Sequence, residues 1–313
     1  MKKDNLSQTF PDKKTRNIEF EQATAVLEAA QKVMSAFDIG QEEATYWPAA
    51  EYPMLPIAVL CATDIHYGST RVIYDKLRRH LQIVEETPNF AMVTNGDHVD
   101  NFNATGKWAS GMMENPLPPQ LQARVMCARL LQIDALDKIG VLSHGNHDDF
   151  GENAGQDWYD SFLSKFKCPV FVAGGLLHIS LKDQEYKMAL NHTYWGNSKI
   201  NPTNAAKRML EYEYPQADIS FLGHTHTSTY EHFDRAGKDV LALVGGTYKK
   251  DDLYAKKRGI SGRSGEPGMT VLLWPNERRM QMFKDIETAL IVMQALIGEA
   301  NHFRKTNIPK KTK

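Results

Sequence analysis

Short apolar runs of strand length alternate with predicted helices through the first half of the chain. The runs cover residues 57–62, 90–94 and 141–143. Residues 71–86 and 121–139 lie between these runs, and their patterns are typical of helices. An order of strand, helix, strand, helix, strand predicts an α/β domain in which helices cover a parallel sheet.

The second half of the chain is richer in strand patterns. Its candidate strands cover residues 170–172, 177–181, 186–191, 219–222, 240–244 and 269–274. One helix interrupts them, with Asn201 as the expected N-cap and Pro202 at the first helical position. We find no internal repeat, and we predict one large central domain.

Amphipathic helices are predicted near both ends of the chain. In residues 20–37 the apolar positions fall three or four apart, and the same spacing resumes from Ile286 onward. We interpret the first helix as docked on its own chain, although its spacing also fits a short coiled-coil seam. We therefore expect an N-terminal extension over 1–46, a central domain over 47–283, and a helix with a basic tail over 284–313. The terminal helices also offer a route to a homodimer.

Composition and charge narrow the classes of protein to which the chain could belong. It has 313 residues and a net charge of −1, which argues against wholesale binding of polyanions but leaves room for a local basic patch. Cys61, Cys127 and Cys168 form no metal-binding pair, and free thiols suit a reducing cytoplasm. The polar start lacks a signal-peptide core, and no run approaches the roughly 20 apolar residues of a membrane span. We therefore expect a cytoplasmic protein without a membrane partner.

Metal-binding residue types stand at the ends of five predicted strands. The motifs are Asp64-Ile65-His66, Gly96-Asp97-His98-Val99-Asp100, Gly145-Asn146-His147-Asp148, Asn191-His192 and Gly223-His224-Thr225-His226. Ligand sites in α/β proteins lie beyond the carboxyl ends of the strands, where these side chains fall. Imidazole and carboxylate ligands together favour Mn, Fe or Zn over Mg or Ca.

The order and type of these motifs resemble the calcineurin-like metallophosphoesterase superfamily, whose pattern is D-x-H, G-D-x-x-D, G-N-H-D/E, H and G-H-x-H. The resemblance spans residues 57 to 273. It implies an α/β fold, a four-layer metallophosphoesterase sandwich in which two facing mixed β-sheets are flanked by helices. It also implies two divalent transition-metal ions that activate a water for attack on phosphorus. Mn is the first expectation for these ions, with Fe, Zn, Ni or Co as alternatives.

The resemblance also implies a role for each residue of the motifs. It assigns separate ligand sets to the two ions: Asp64, His66 and His226 to one, and Asn146, His192 and His224 to the other. Asp97 is expected to bridge both ions. His147 is the expected general acid, and Asp148 is expected to orient the His147 imidazole. We expect Asp100 to brace its loop by hydrogen bonding, and His98 is a candidate substrate contact.

Two sequence features bear on the class of substrate. The first motif continues as Tyr67-Gly68, and the resulting D-x-H-x-G is similar to that of double-strand-break repair nucleases. Serine/threonine protein phosphatases of the same superfamily carry G-D-x-V-D-R-G and R-G-N-H-E. Here Asn101 and His144 stand where those forms have arginine, which disfavours a protein phosphatase.

Two segments outside the motifs supply further candidate contacts to substrate. Trp108 lies in the long insertion 101–120 and could stack on a nucleobase, or pack the loop down. The segment 249–266 has an excess of basic residues that could contact a polyanion, or simply be solvated. Its candidate substrate contacts are Lys256, Lys257 and Arg258.

The sequence thus predicts a dinuclear metal-dependent phosphoesterase that prefers a phosphodiester, with a DNA or RNA nuclease as the favoured special case. The first alternative is a phosphomonoesterase acting on small phosphate esters or phosphoproteins. A metal-binding module without catalysis is disfavoured, because His147 and every ligand are present.

Overall fold

A computed structural model describes residues 20–29, 42–102, 114–148, 162–251 and 265–306. Residues 20–29 form a helix in an N-terminal unit that comprises residues 1–41. The rest of the helix predicted over 20–37 lies outside the described residues. Everything below concerns the second unit, residues 42–313.

The second unit is built from strands and helices in an alternating and then strand-rich order. The strands are β1 (Glu42–Tyr46), β2 (Ile57–Ala62), β3 (Phe90–Asn95), β4 (Ile139–Ser143), β5 (Val170–Phe171), β6 (Gly175–Ser180), β7 (Glu185–Asn191), β8 (Ile219–Leu222), β9 (Thr229–Arg235), β10 (Lys238–Val244), β11 (Thr270–Leu273) and β12 (Met280–Phe283). The helices are α1 (Tyr74–Glu86), α2 (Pro119–Asp134), α3 (Asn204–Tyr212) and α4 (Ile286–Thr306). Within the described ranges, no helix is long and apolar enough to cross a membrane.

The strands form two mixed sheets of six strands each. One sheet has the order β12-β11-β2-β3-β4-β5, and the other has the order β1-β6-β7-β8-β10-β9. In the first sheet β2 to β5 run parallel and β11 pairs antiparallel with β2. In the second sheet β7, β8 and β10 run parallel. Strands β2, β3 and β4 are apolar almost throughout because both of their faces are buried.

The two sheets pack face to face and helices cover their outer faces. Val59 and Val93 of one sheet share a buried core with Leu177 and Phe221 of the other. Apolar side chains of α1, α2 and α4 cover the outer face of the first sheet, and those of α3 cover the second. The layers are therefore helix, sheet, sheet, helix, and the predicted α/β fold with two mixed sheets is confirmed.

The strands that sequence analysis missed are edge strands. They are β1 and β9, at the two ends of one sheet, and β12, at one end of the other. An edge strand has one exposed side and buries fewer side chains, so its apolar pattern is weak. Strand β1 lies within the predicted extension 1–46 and pairs with β6.

Three predicted helices have different bounds in the structure, and α1 begins at Tyr74, three residues later than predicted. Helix α2 ends at Asp134, five residues earlier than predicted, and Asp137 then adopts a φ of 55° that no helix can continue. The next residue, Lys138, donates to three carbonyl oxygens at the end of α1, at 2.8 to 2.9 Å. Helix α3 begins at Asn204 after Thr203, not at the predicted Pro202.

Candidate metal centre

The predicted ligands follow strands whose carboxyl ends meet at one edge of the two sheets. The loops after β2 and β3 are joined by backbone hydrogen bonds, from Asp64 N to Gly96 O at 3.1 Å and from His66 N to Asp97 O at 2.9 Å. In the other sheet, the amide of Gly223 donates to the carbonyl oxygen following β7 at 3.1 Å. Side chains from separate motifs are thereby brought within reach of one another.

Asn95, the last residue of β3, ties the two sheets together beside this edge. Its Nδ2 donates to the carbonyl oxygens of Asn191 and Phe221, at 2.9 and 2.7 Å. Its own carbonyl oxygen accepts a hydrogen bond from His192 Nδ1 at 2.7 Å, which leaves His192 Nε2 available as a ligand atom. Sequence analysis missed Asn95, because an asparagine ending an apolar strand carries no signal for this role.

Asp64, His66 and His226 form the first cluster of potential ligands. His226 Nε2 lies 3.1 Å from Asp64 Oδ1 and 3.0 Å from His66 Nε2. His66 Nε2 lies 3.9 Å from the same carboxylate oxygen. Two imidazole nitrogens and a carboxylate oxygen thus converge from loops that follow β2 and β8.

Asp97, His192 and His224 form a second cluster, and Asp97 also reaches the first. The potential ligand atoms of the second cluster all lie within 4.8 Å of one another. Asp97 Oδ2 is 3.2 Å from His192 Nε2 and 3.8 Å from His66 Nε2. Its carboxylate therefore lies between the two clusters, in the position that a bridging ligand requires.

Two proposed ligand atoms at this edge are buried and have no hydrogen-bond partner within the described part of the chain. They are Asn146 Oδ1 and His192 Nε2, and the latter approaches Asp97 without hydrogen-bond alignment. Burying such atoms without a partner is costly, so each needs a physical explanation. An amide oxygen and an imidazole nitrogen are atoms that divalent transition metals accept. The donor set therefore fits a pair of such cations.

Backbone strain concentrates at the same residues. Of nine non-glycine residues with positive φ in the described ranges, five are predicted ligands: Asp64, His66, Asp97, His224 and His226, with φ between 50° and 65°. Such conformations cost of order 1–3 kcal/mol each and persist where surrounding contacts impose them. Gly145 relieves crowding here, because a Cβ at that position would stand 2.3 Å from Asp97 N. The fold thus stabilises strained loops that point side chains inward.

Burial and mutual charge set the ionisation of the cluster. Burial lowers the pKa of His66 to about 4, which keeps its imidazole neutral. Burial alone would raise the pKa values of Asp64 and Asp97, but His226 and His192 lower them, so both carboxyls stay ionised. Burial alone would lower the pKa of His192, but Asp97 raises it to about 10 in the metal-free chain. Neutral His66 and ionised carboxylates are the forms that bind a cation, which must displace the proton of His192.

His147 and Asp148 lie in the expected loop but make different contacts from those predicted. His147 Nδ1 donates to the carbonyl oxygen of Asp100 at 2.6 Å. Asp148 accepts hydrogen bonds from the backbone amide and Nδ1 of His98, both at 3.0 Å, and from Gly145 N. The His147 imidazole is therefore oriented by Asp100, and this corrects the prediction that Asp148 orients it.

Of the candidate substrate contacts, only His98 lies within the described residues. His98 is 2% exposed, and its ring contacts Thr94 Oγ1 at 2.6 Å as well as Asp148. Because His98 is enclosed in this way, it stabilises the loop of Asp148 and does not face solvent, where a substrate would bind. The remaining candidates lie outside the described residues: Trp108, Lys256, Lys257 and Arg258.

An exposed aromatic shelf, formed by Trp195, Arg208 and Tyr212, follows the predicted ligand His192. Trp195 is 58% exposed, and its ring stacks on Tyr212 with centroids 5.9 Å apart and planes inclined by 23°. The guanidinium carbon of Arg208 lies 4.2 Å from the centre of the Trp195 ring. Sequence analysis missed this shelf, because helix α3 supplies Arg208 and Tyr212 only once the chain has folded.

Comparison with known proteins gives one family match and several distant structural likenesses. A family model described as calcineurin-like phosphoesterase matches residues 57–228. No curated protein matches the sequence. A Staphylococcus aureus protein assigned as a 5'-nucleotidase is 14% identical, with a TM-score of 0.46. The match covers 73% of this chain and 53% of that protein, so the chain spans about half the length of the nucleotidase.

Two smaller proteins are also similar over much of the chain. Vps29 of Entamoeba histolytica, solved with Zn²⁺, is 15% identical with a TM-score of 0.36, and the match covers 72% of this chain and 90% of that one. A Streptococcus pneumoniae protein described as a predicted phosphoesterase is 13% identical with a TM-score of 0.30, covering 74% and 98%.

Proposed function

Because the chain belongs to the calcineurin-like phosphoesterase family, we propose that it hydrolyses phosphodiesters at a centre of two divalent cations. One observation carries the proposal: the Asp97 carboxylate lies between two clusters of imidazole and carboxylate ligands, 3.2 and 3.8 Å from one histidine nitrogen of each. A carboxylate in this position can serve as a ligand to two adjacent cations and supplies negative charge to both.

The residues of the two clusters divide between the two cations. Asp64, His66 and His226 would hold one, Asn146, His192 and His224 would hold the other, and Asp97 would contact both. Such cations would polarise phosphoryl oxygens and lower the pKa of an attacking water. Mn is the preferred cation in this proposal, with Fe, Zn, Ni and Co as alternatives.

His147 is the proposed proton donor to the leaving oxygen. Its Nδ1 donates to the Asp100 carbonyl, so Nε2 is the ring atom from which a proton can pass to substrate. The ring is packed edge-on against His66 and Phe102, with centroids 4.6 and 5.1 Å away. These contacts hold the imidazole beside the ligand clusters without enclosing it.

The metal and substrate requirements can be tested in one activity screen. The purified 313-residue chain is loaded with Mn, Fe, Zn, Ni, Co or Mg and supplied with bis-p-nitrophenyl phosphate, p-nitrophenyl phosphate, single-stranded DNA or duplex DNA. We expect the diester to be cleaved faster than the monoester, and Mg to be a poor substitute for Mn. Faster cleavage of the monoester would favour the phosphomonoesterase alternative, and no cleavage with any metal would refute the proposal.

A nucleic-acid substrate is the favoured special case, and the aromatic shelf supports it. Trp195 follows the proposed ligand His192 by three residues, and exposed aromatic rings can stack nucleobases, each contact contributing roughly 1–3 kcal/mol. The positive charge of Arg208 next to Trp195 suits a polyanion as well. Lys256, Lys257 and Arg258 remain predicted contacts to the same substrate.

Trp195→Ala should raise the KM for a nucleotide ester by about 5- to 150-fold, the equivalent of one lost stacking contact. The test compares thymidine 5'-p-nitrophenyl phosphate with methyl p-nitrophenyl phosphate, which share a leaving group but differ in whether they carry a nucleoside. The KM for the methyl ester should change less than twofold. Trp195→Phe, which keeps an aromatic ring, should raise the KM for the nucleotide ester much less than Trp195→Ala. Equal changes in KM for both esters would show that the aromatic shelf does not bind the base.

Two further expectations stay proposals. Cys61, Cys127 and Cys168 are unpaired, which supports a reducing compartment such as the cytoplasm. Ile291 and Phe303 of α4 are 67% and 65% exposed, which supports association through the terminal helices.

A further inference from the structure

A buried lysine contacts the carboxylate that stands behind the first ligand cluster. The side chain of Lys249 is 5% exposed, and its Nζ lies 2.7 Å from Oδ1 of Asp100, which is fully buried. His66 Nδ1 lies 2.9 Å from the same oxygen, although its N–H points off the hydrogen-bond axis. Asn115 Nδ2 donates to the other oxygen, Oδ2, at 2.7 Å. One carboxylate thus links an ammonium group to a predicted metal ligand.

The backbone around Lys249 is tied directly to the first motif. Tyr248 N and Thr247 Oγ1 both donate to the carbonyl oxygen of Asp64, at 3.2 and 2.8 Å. Lys249 itself forms a β-bridge with Val72, and its amide donates to Thr247 Oγ1 at 3.0 Å. These hydrogen bonds fix the segment that carries Lys249 against the loop that carries Asp64 and His66.

We propose that Lys249 is a positioning residue, which acts through Asp100 to hold His66 in its ligand orientation. The Lys249 ammonium group, 2.7 Å from Asp100 Oδ1, compensates the charge of this buried carboxylate and fixes its orientation toward His66. The ionised Asp100 attracts the Nδ1–H of His66, so that the free electron pair of the ring lies on Nε2, facing Asp64 and His226. Groups behind a ligand that fix its tautomer in this way typically change metal affinity 10- to 100-fold when removed.

Lys249 carries this role without belonging to any of the five motifs. It rests on the proposed function only in requiring that His66 bind a cation. Direct contact of Lys249 with a substrate phosphate is the competing role. The two differ in what they predict, because a positioning residue changes metal affinity in the absence of any substrate.

The test measures Mn²⁺ binding to the metal-stripped 313-residue chain by calorimetry. We expect Lys249→Met to bind Mn²⁺ about 10- to 100-fold more weakly than the wild type. Lys250→Met is the matched control, since Lys250 is the exposed neighbour of Lys249 and should leave the affinity unchanged. Lys249→Arg, which keeps the charge, should retain more of the affinity than Lys249→Met. Should Lys249→Met not fold, Lys249→Gln gives the same comparison with a neutral donor.

A second variant tests whether Lys249 acts through Asp100. Asp100→Asn should itself weaken Mn²⁺ binding, and adding Lys249→Met to it should cost less than a further twofold. Wild-type affinity in Lys249→Met, or two effects that multiply, would overturn the proposal. An unchanged Mn²⁺ affinity with a raised KM would assign Lys249 to substrate instead. If the wild type bound no metal, the proposed function itself would fail, which is a separate outcome.

Discussion

Asp97→Asn is expected to lower the metal content of the protein from two ions per chain to one or fewer and to abolish measurable turnover. The substitution preserves the shape of the side chain but replaces the two carboxylate oxygens with one neutral oxygen and an NH2 group. Asp97 Oδ2 is the atom that lies near both His192 and His66. Its Oδ1 accepts the backbone amide of His147 at 2.9 Å, a bond that an asparagine oxygen can keep. The substitution therefore removes the negative charge shared by the two ions and leaves the hydrogen bond to the loop of His147 in place.

The expected size of the effect on metal affinity and activity follows from the proposal that Asp97 is a ligand to both ions. Removing a group behind a single ligand typically lowers metal affinity or activity by about 10- to 100-fold, and a shared ligand should exceed that range. Metal analysis of the purified variant, together with bis-p-nitrophenyl phosphate hydrolysis at saturating Mn²⁺, measures both effects.

Asp134→Asn provides a control with a buried carboxylate of a different kind. Asp134 is 3% exposed and accepts the backbone amides of Lys167 and Cys168, at 2.8 and 3.1 Å, far in the chain from the motifs. This variant should lose thermal stability while keeping two ions per chain. Two tightly bound ions and wild-type turnover in Asp97→Asn would mean that the clusters do not share a bridging ligand.

The sequence was sufficient to predict the α/β class, because its central strands carry strong local signals, whereas the two mixed sheets were implied by the resemblance to the metallophosphoesterase superfamily. Residues 57–62, 90–94 and 219–222 are apolar runs buried on both faces, and metal-binding residue types follow each of them. The strands β1, β9 and β12 escaped prediction for the opposite reason, since edge strands bury too little to show a clear pattern.

The contacts that support the candidate site depend on tertiary structure, and this is why they were missed. Asn95 reaches across to strand residues that lie 96 and 126 positions later, and Lys249 reaches Asp100 across 149 residues. No pattern local to either residue signals such a contact. Asp148 follows His147 directly in sequence, yet its carboxylate turns to His98, because the loop after β4 folds back on the loop after β3.

His147→Asn is expected to keep both metal ions while losing about 10²- to 10⁴-fold in kcat for esters with poor leaving groups. The ions should stay because His147 contacts Asp97 through its backbone amide, which the substitution does not remove. The imidazole donates from Nδ1 to the Asp100 carbonyl oxygen and packs edge-on against His66, so its loss removes none of the proposed ligands.

The leaving group decides whether His147 is a proton donor or a positioning group. An alkoxide, such as the sugar oxygen released from a dinucleotide, must be protonated as it departs, whereas p-nitrophenolate can leave without a proton. The kcat loss in His147→Asn should therefore be large for a dinucleotide and much smaller for bis-p-nitrophenyl phosphate, at equal metal content. An equal loss for both substrates would show that His147 orients the phosphoryl group instead. In that case the proton must come from another group or from solvent, and the ligand assignments around Asp97 would stand unchanged.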